Sequence, residues 1–422
     1  MGYDTFNGFA GDYNASDVLI QAQIMSERGL VDAGYTQFIL DDFNLEAQRN
    51  ATGYIVANQT RFPNGMPALS KQMNALGVQL AAYSDLGYKT CGGFPGSWGH
   101  ELQDLETWYS WGMTYLKLDH CYFPQDNITQ ENIYGTYTPM ANAIAEFAAR
   151  TNVTFIFSLC EWGLEQPWVW GKQLGQSWRI DNDVKPWWSS IATVITQASY
   201  QYWATDFYGH NDMDILEVGN TNGIGNPPGN LTYEESKSHF TAWALLKSPL
   251  IIGTDLTKVS NETFTILGNR DLIKINQDPN VGTSITPFRW GNNSFKVGNP
   301  NYPAVYWPNN PASPAQYWSG NSSYGVVIMI LNTANQAQNM SFALAESWLL
   351  KAGRQYEVYD MWAHRTVGTA VRSWSVTLPA HGVSALLLND AGAEPAWLNG
   401  TCANQYFCSA PNGSLIYPNA FS

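Results

Sequence analysis

The segment YLKLDHC sets a lysine and an aspartate two residues apart, at Lys117 and Asp119. Alternate residues of a strand share a face, so these two point one way while Leu116 and Leu118 point the other. An ammonium beside a carboxylate is costly in an apolar interior unless it faces a polar pocket, and it holds the acid ionised, as a nucleophile must be. The same two residues can also serve as a structural ion pair. A second cluster, SWRIDNDV, places Arg179 ahead of Asp181 and Asp183, and either of these acids can instead cap a loop. Asp41 and Asp42 end the run FILDD, while Glu161 and Trp162 end SLCEWG. Carboxylates clamp sugar hydroxyls and flat rings cover the C–H faces of a sugar. The 18 Trp and 23 Tyr supply such rings, although most of them serve as core or surface filling.

Glycoside hydrolysis needs two carboxyl groups in opposite protonation states, one to attack or to activate water and one to protonate the leaving oxygen. With roughly 5.5 Å between the charges and an effective dielectric of about 20, their repulsion is on the order of 3 kcal/mol, about two pKa units on the second acid. That lifts an Asp from about 3.9 towards about 6, which suits a proton donor in mildly acidic surroundings. Other chemistries lack their motifs. Neither G-x-x-x-x-G-K-[ST] nor G-x-G-x-x-G stands in a strand-to-helix setting, and H-E-x-x-H is absent. The six histidines are widely separated and no G-x-S-x-G elbow accompanies them. No metal and no cofactor are expected.

Elements that position these acids recur from residue 1 to about 280. A helical pattern is followed by a short β-branched or aromatic run ending in acidic or small residues, as in FILDD, VQLAAYSDLG, YLKLDHC, VTFIFSLCEWG, SWRIDND, NDMDILEVGN and SPLIIGTDL. MGYDTFN looks like the end of an eighth. Such alternation predicts an α/β fold, a (β/α)8 TIM barrel over residues 1–280, with the carboxylates at strand C-terminal ends where barrel active sites lie. After INQDPN the texture changes to short alternating runs such as YGVVIMILN and SWSVTLPA, separated by Gly, Pro, Asn and Ser. A smaller antiparallel β-sandwich domain is expected over residues 281–422.

At 422 residues the chain exceeds one ordinary core and accommodates a barrel plus a smaller domain. The 35 acidic residues against 21 basic ones give a net charge of −14, which repels a phosphate backbone. No nucleic-acid or membrane partner is expected, since no run approaches the length of a membrane span. Twelve Asn-x-Ser/Thr sequons, at Asn14, Asn50, Asn58, Asn127, Asn152, Asn230, Asn261, Asn292, Asn321, Asn339, Asn399 and Asn412, favour a secreted glycoprotein bearing N-linked glycans. The sequence then reads as a product whose signal peptide has been removed. The five cysteines are too few for a disulfide-built scaffold and too scattered for zinc. Pairing Cys402 with Cys408 closes a short loop, pairing Cys91 with Cys121 links two segments, and Cys160 reads as a buried inert thiol.

Taken together, the motifs resemble glycoside hydrolase family 27, the α-galactosidase family, through nearly the whole chain. MGYDTFN is similar to that family's MGWNSWN, FILDD to its IDD, AAYSDLG to GIYSDAG, TCGGFPGS to TCAGYPGS and YLKLDHC to YLKYDNC. SLCEWG, WR-x3-D, NDMDILEVGN, SPLIIGTDL and INQDP follow in family order. The resemblance implies a barrel followed by an antiparallel β domain, and retaining hydrolysis of α-galactosides without a metal. It implies Asp119 as nucleophile and Asp183 as acid/base, with Asp181 a bystander. Asp41, Asp42 and Lys117 would surround O4 and O6 of galactose, Glu161 and Arg179 would hold the 2-hydroxyl, and Asp214 would lie near the site floor. Tyr3 stands where the family has a Trp wall, and Cys91 and Cys121 stand at a family disulfide.

Departures define the alternatives. Tyr3 carries a smaller ring and a hydroxyl, Ala10 and Phe43 replace a pair of cysteines, His120 replaces an Asn and Ile215 a Met. Tyr3 and Ile215 keep β-L-arabinopyranosidase or α-N-acetylgalactosaminidase activity, or a catalytically inactive galactoside-binding protein, as rival readings. Glu161 on a 2-hydroxyl leaves no room for a 2-acetamido group, and an intact Asp41 argues against a sugar lacking the C6 hydroxymethyl.

Overall fold

The computed structural model describes residues 1–123, 133–221, 228–291 and 314–398, with the backbone of three short strands at 401–402, 408–409 and 415–416. Eight parallel strands make the first sheet: β1 (Gly2–Asp4), β2 (Gln37–Ile39), β3 (Gln79–Asp85), β4 (Tyr115–Asp119), β5 (Ile156–Cys160), β6 (Ser177–Arg179), β7 (His210–Asp212) and β8 (Ile251–Ile252). Their order is β7-β6-β5-β4-β3-β2-β1-β8. Just past β7, Leu216 bridges Ile252 in parallel, with Leu216 N donating to Ile251 O at 2.7 Å and Gly253 N to Leu216 O at 3.1 Å. The sheet therefore closes on itself as a barrel, and MGYDTFN does contribute the eighth strand, paired with both β2 and β8.

Helices alternate with these strands because the intervening sequence carries its own start signals. Asn14 begins the helix Ala15–Glu27 by accepting from Ser16 N at 2.8 Å and Asp17 N at 3.4 Å, while Asp17 accepts in return from Asn14 N at 2.9 Å. Such a reciprocal cap satisfies donors that the first helical turn leaves open. Register separates the two faces of the strands. Tyr3, Phe38 and Leu80 are partners across β1, β2 and β3 on the outward face. Ile39, Ala81, Tyr83, Tyr115, Ile215 and Ile251 pack into one apolar layer inside. An apolar floor of this kind keeps water from beneath whatever lies at the strand ends.

Two compact units interleave along the chain. Unit 1 comprises Met1–Val194, Tyr208–Leu231 and Ser248–Gly268; unit 2 comprises Ile195–Phe207, Thr232–Lys247 and Asn269–Ser422. Within unit 2 lies an eight-stranded antiparallel sheet of β9 (Thr286–Trp290), β10 (Ala315–Ser322), β11 (Gly325–Leu331), β12 (Gln338–Ala343), β13 (Arg354–Asp360), β14 (Arg365–Val371), β15 (Ser373–Leu378) and β16 (Val383–Ala393). Its order runs β12-β15-β14-β13-β16-β11-β10-β9. Phe288 of β9 and Phe342 of β12 lie at opposite ends of that order, yet their ring centroids are 5.7 Å apart. The sheet folds over so that its two halves enclose one core, which includes Ile328, Ile330, Phe342, Tyr356, Val358 and Leu386. The helix Tyr233–Leu245 packs in this unit, with Ser238 Oγ donating to His381 O at 2.5 Å and Trp362 Nε1 to Thr241 Oγ1 at 3.0 Å. Cys402 and Cys408 are register partners, but their side chains lie outside the described residues, as do the sequons at Asn127, Asn292, Asn399 and Asn412.

Candidate active site

Asp4, Asp85, Asp119, Arg179 and Asp212 are the last residues of β1, β3, β4, β6 and β7. Glu161 follows β5 directly, and Asp41 and Asp42 follow β2 after Leu40. Charge is thus gathered at the carboxyl ends of the parallel strands, the rim on which barrel sites are built. Left-handed backbone marks the same rim. Phe43, next to Asp42, has φ 74°, Trp162, next to Glu161, 57°, and Asp214, two residues past Asp212, 76°, conformations that non-glycine residues rarely adopt.

Lys117 lies inside the barrel between two acids, with its Nζ 3.1 Å from Asp4 Oδ2 and 2.7 Å from Asp41 Oδ2. Burial alone lowers the lysine pKa, but Asp4 and Asp41 outweigh it and hold the ammonium charged. Asp41 also accepts from Asp42 N at 2.9 Å. Asp42 is braced by Thr90 Oγ1 at 2.8 Å and Gly92 N at 2.6 Å, and burial raises its pKa. Asp4 was not singled out in the sequence. Its signal is one of parity, since Tyr3 and Asp4 are adjacent and must face opposite ways. Tyr3 is fully buried on the outward face, stacked on Phe38 at 4.6 Å with its hydroxyl donating to Thr254 O at 2.8 Å. The structure does not bring Tyr3 to the charged cluster; it brings Asp4.

Asp119 is fixed by two donors, Tyr83 OH to Oδ2 at 2.8 Å and its neighbour His120 N to Oδ1 at 2.9 Å. Burial raises its pKa to about 6, with Lys117 pulling it down and Asp183 pushing it up. Tyr83 is the register partner of Lys117, so AAYSDLG did contain a second inward residue that sequence reasoning passed over. Asp85, the register partner of Asp119, accepts from Gly87 N and Cys121 N, both at 2.7 Å. Burial and Asp119 lift its pKa to about 8, so it holds a proton next to Asp119. The disulfide Cys91–Cys121 is formed with its Cα atoms 5.3 Å apart, tying the ends of β3 and β4 together. Asp85, Asp119 and the two sulfurs approach within 4.8 Å of one another, but disulfide sulfur lacks the thiolate that a metal ligand requires.

Arg179 organises the other side. Its Nη1 lies 3.1 Å from Asp214 Oδ1, and its Nη2 donates to Asp181 O at 3.1 Å and Asp183 Oδ1 at 3.2 Å. Asp181 and Asp183 stand in a loop after β6, so strand alternation could not distinguish them; their bonds to Arg179 do. Asp181 offers Arg179 its carbonyl and caps Asn182 N with its carboxylate, whereas Asp183 offers its carboxylate. Burial acts to raise the pKa of Asp183, but Arg179 and Lys185 together carry it below the usual value. With 42% of its side chain exposed, that carboxylate also keeps contact with water. Asp214 accepts from Val184 N at 2.7 Å and so braces the loop that carries Asp183.

Glu161 is completely buried, and among the described residues neither of its carboxyl oxygens has a hydrogen-bond partner. Burial pushes its pKa well above the ordinary range, so it is held as a neutral acid. The buried Cys160 thiol receives Arg179 Nη1 at 3.5 Å, and burial drives its pKa far up. That inert state is the one expected of it.

Two acids therefore stand at the same rim in opposite ionisation trends, but the lifted one is Asp119 and the depressed one Asp183. Mutual repulsion of two equal acids, which would raise the proton donor, is outweighed by the guanidinium that covers Asp183 and by the deeper burial of Asp119.

Comparison with known proteins finds alpha-galactosidases that match most of the chain. A family model described as alpha galactosidase A matches residues 14–278, and one described as the alpha galactosidase C-terminal beta sandwich domain matches residues 312–388. A probable alpha-galactosidase B of Talaromyces emersonii is 34% identical over 92% of this chain and 91% of its own. The crystal structure of alpha-galactosidase I from Mortierella vinacea superposes with a TM-score of 0.78 at 29% identity, covering 94% of this chain and 98% of that one. The structure of the Saccharomyces cerevisiae enzyme with raffinose gives 0.77 at 26%, covering 93% and 97%. On these matches, and with the motifs seated at one barrel rim, the chain belongs to glycoside hydrolase family 27, the alpha-galactosidase family.

Proposed function

We propose that the chain is a retaining, exo-acting α-galactosidase that releases terminal α-linked galactose from oligosaccharides, polysaccharides or glycoconjugates. The observation that carries this is the placement of Asp119, held by Tyr83 and His120 N, at the same barrel rim as Asp183, held by Arg179. In the first step an Asp119 oxygen bonds to the anomeric carbon, the glycosidic C–O bond breaks, and Asp183 gives its proton to the departing oxygen. In the second, Asp183 takes a proton from water, the water oxygen bonds to the anomeric carbon, and Asp119 leaves with its electron pair. Two inversions give net retention, so α-galactose is released first.

The ionisation trends add a condition to this scheme. Interacting acids titrate as a pair, and burial raises Asp119 to about 6 while Arg179 and Lys185 lower Asp183. Only the form with one proton, held on Asp183, is productive. Turnover therefore proceeds at a pH between the two macroscopic values of the pair.

Sugar contacts follow from the same geometry. Asp41, Asp42 and Lys117 form a fixed polar clamp for the O4 and O6 side, with Asp4 setting the lysine. Glu161 and Arg179 take the 2-hydroxyl, Glu161 as a neutral acid able to donate as well as accept. Asp214 and the Cys91–Cys121 bridge are bracing groups, and Tyr3 supports β1 from behind the site. The protein acts as a secreted glycoprotein. Among eight described sequon asparagines all but Asn58 are exposed, and among the described residues no helix is long and apolar enough to cross a membrane. Proton NMR of the first-formed sugar tests the scheme, since initial β-galactose would refute retention.

A further inference from the structure

Unit 2 contains a cavity of its own, of about 220 Å³. Its walls follow from two periodicities. Along β13 and β16, Tyr356, Val358, Leu386 and Leu388 turn into the core, so the alternate residues Glu357, Tyr359, Leu387 and Asn389 must share the other face. Register pairs Glu357 with Asn389 and Tyr359 with Leu387, making a patch two residues wide. Against that patch lies the helix Arg270–Asn276, which presents Asp271, Lys274 and Ile275 at i, i+3 and i+4, one helical face. The helix covers the strands incompletely, and the gap is the cavity.

Its walls are set in place before any ligand arrives. Asp271 Oδ2 accepts from Tyr359 OH at 2.9 Å and faces His364 Nδ1 at 2.7 Å. Lys274 Nζ sits 3.6 Å from the centre of the Tyr324 ring. Asn389 occupies the space that a side chain at position 325 would take, since a Cβ on Gly325 would meet its Oδ1 at 2.5 Å. Gly325 has φ 140°, so this β10–β11 hairpin both turns at a glycine and makes room for the amide. Glu357 and Asn389 remain exposed at the mouth.

The lining chemistry selects a class of ligand. Two carboxylates, Asp271 and Glu357, against one ammonium, Lys274, disfavour an anion. Charged and amide groups rimming the apolar surface of Tyr324, Tyr359, Ile275 and Leu387 suit a neutral molecule with hydroxyls at its edge and C–H groups on its faces. A volume of about 220 Å³ is on the scale of one sugar ring. We propose that this cavity is a non-catalytic binding site for a single neutral pyranose, either a free monosaccharide or the end of a saccharide chain.

The test uses the full chain with Asp119→Asn, so that a saccharide survives the titration, with and without Glu357→Ala and Asn389→Ala. Calorimetry with galactose and with raffinose, a galactose-capped trisaccharide, separates a free sugar from a chain end. Two binding events are expected for at least one of these probes, and the added pair of substitutions should remove one event or weaken it at least tenfold. In the chain with Asp119 intact, Glu357→Ala and Asn389→Ala should leave hydrolysis of an aryl α-galactoside unchanged, which also shows that the variant folds. A single event with both probes, or two events that survive both substitutions, would overturn the proposal. Absence of hydrolysis by the unsubstituted chain would instead refute the proposed activity, so the two failures are distinct.

Discussion

Tyr83 donates its hydroxyl to Asp119 Oδ2 at 2.8 Å, from a strand position whose register partner is Lys117. One inward-facing residue therefore orients the carboxylate proposed as the nucleophile and favours its ionised form, because a donated bond stabilises a carboxylate. Removing it by Tyr83→Phe should reduce kcat/KM about ten- to a hundredfold, as expected for a hydrogen bond to a charged group worth about 1.5–3 kcal/mol. Loss of the donor also raises the Asp119 pKa, so the alkaline limb of the pH profile should move to higher pH. A profile that keeps its limb would assign Tyr83 to packing alone.

For the unsubstituted chain, kcat/KM should follow a bell whose alkaline limb falls near pH 6. Above that value Asp119, raised to about 6 by burial, loses the proton that the pair must hold in common. Below the lower value of the pair both acids are protonated and attack fails. Activity that stays flat from pH 6 to 8 would contradict the shared proton.

Lys117→Met should unfold or strongly destabilise the chain, because Asp4 and Asp41 are left with no cation in a nearly closed interior. Breaking a buried ion pair from one side costs about 3–5 kcal/mol. Denaturant titration measures this, and a change under about 1 kcal/mol would mean that the cluster is open to water.

How much of this was legible depended on the range of the contact. Lys117 and Asp119 share a strand, so alternation alone predicts their common face. Lys117 and Asp4 are 113 residues apart, and β1 has only three residues, too few to show a period. Hence the acid on β1 was missed, and Tyr3 beside it was expected at the site although its ring faces outward. The barrel could be predicted from repeated strand-and-helix alternation, even where β6, β7 and β8 have only two or three residues. The relation of Asp183 to Arg179 needed a loop conformation, which periodicity does not encode.

Stability should peak on the acidic side of neutrality. Burial raises Asp85 and Glu217 to about 8, so their contribution is complete below their ordinary values near 4 and is lost as pH rises towards 8. The buried His120 and His239 are lowered to about 4 and about 3, so theirs is complete above about 6.5 and is lost as pH falls through those values. Thermal midpoints recorded from pH 3 to 9 should therefore decline at both ends, with the alkaline decline under way by pH 8. A midpoint that climbs steadily to pH 9 would show these carboxyls to be solvated.

Labelling the nucleophile tests the central claim most directly. A fluorinated α-galactoside with a good leaving group should trap the glycosyl-enzyme, and mass spectrometry of the digested protein should place the added sugar on the peptide bearing Asp119, at that residue. An adduct on Asp183, or full turnover of ordinary substrate with no adduct at Asp119, would contradict the account.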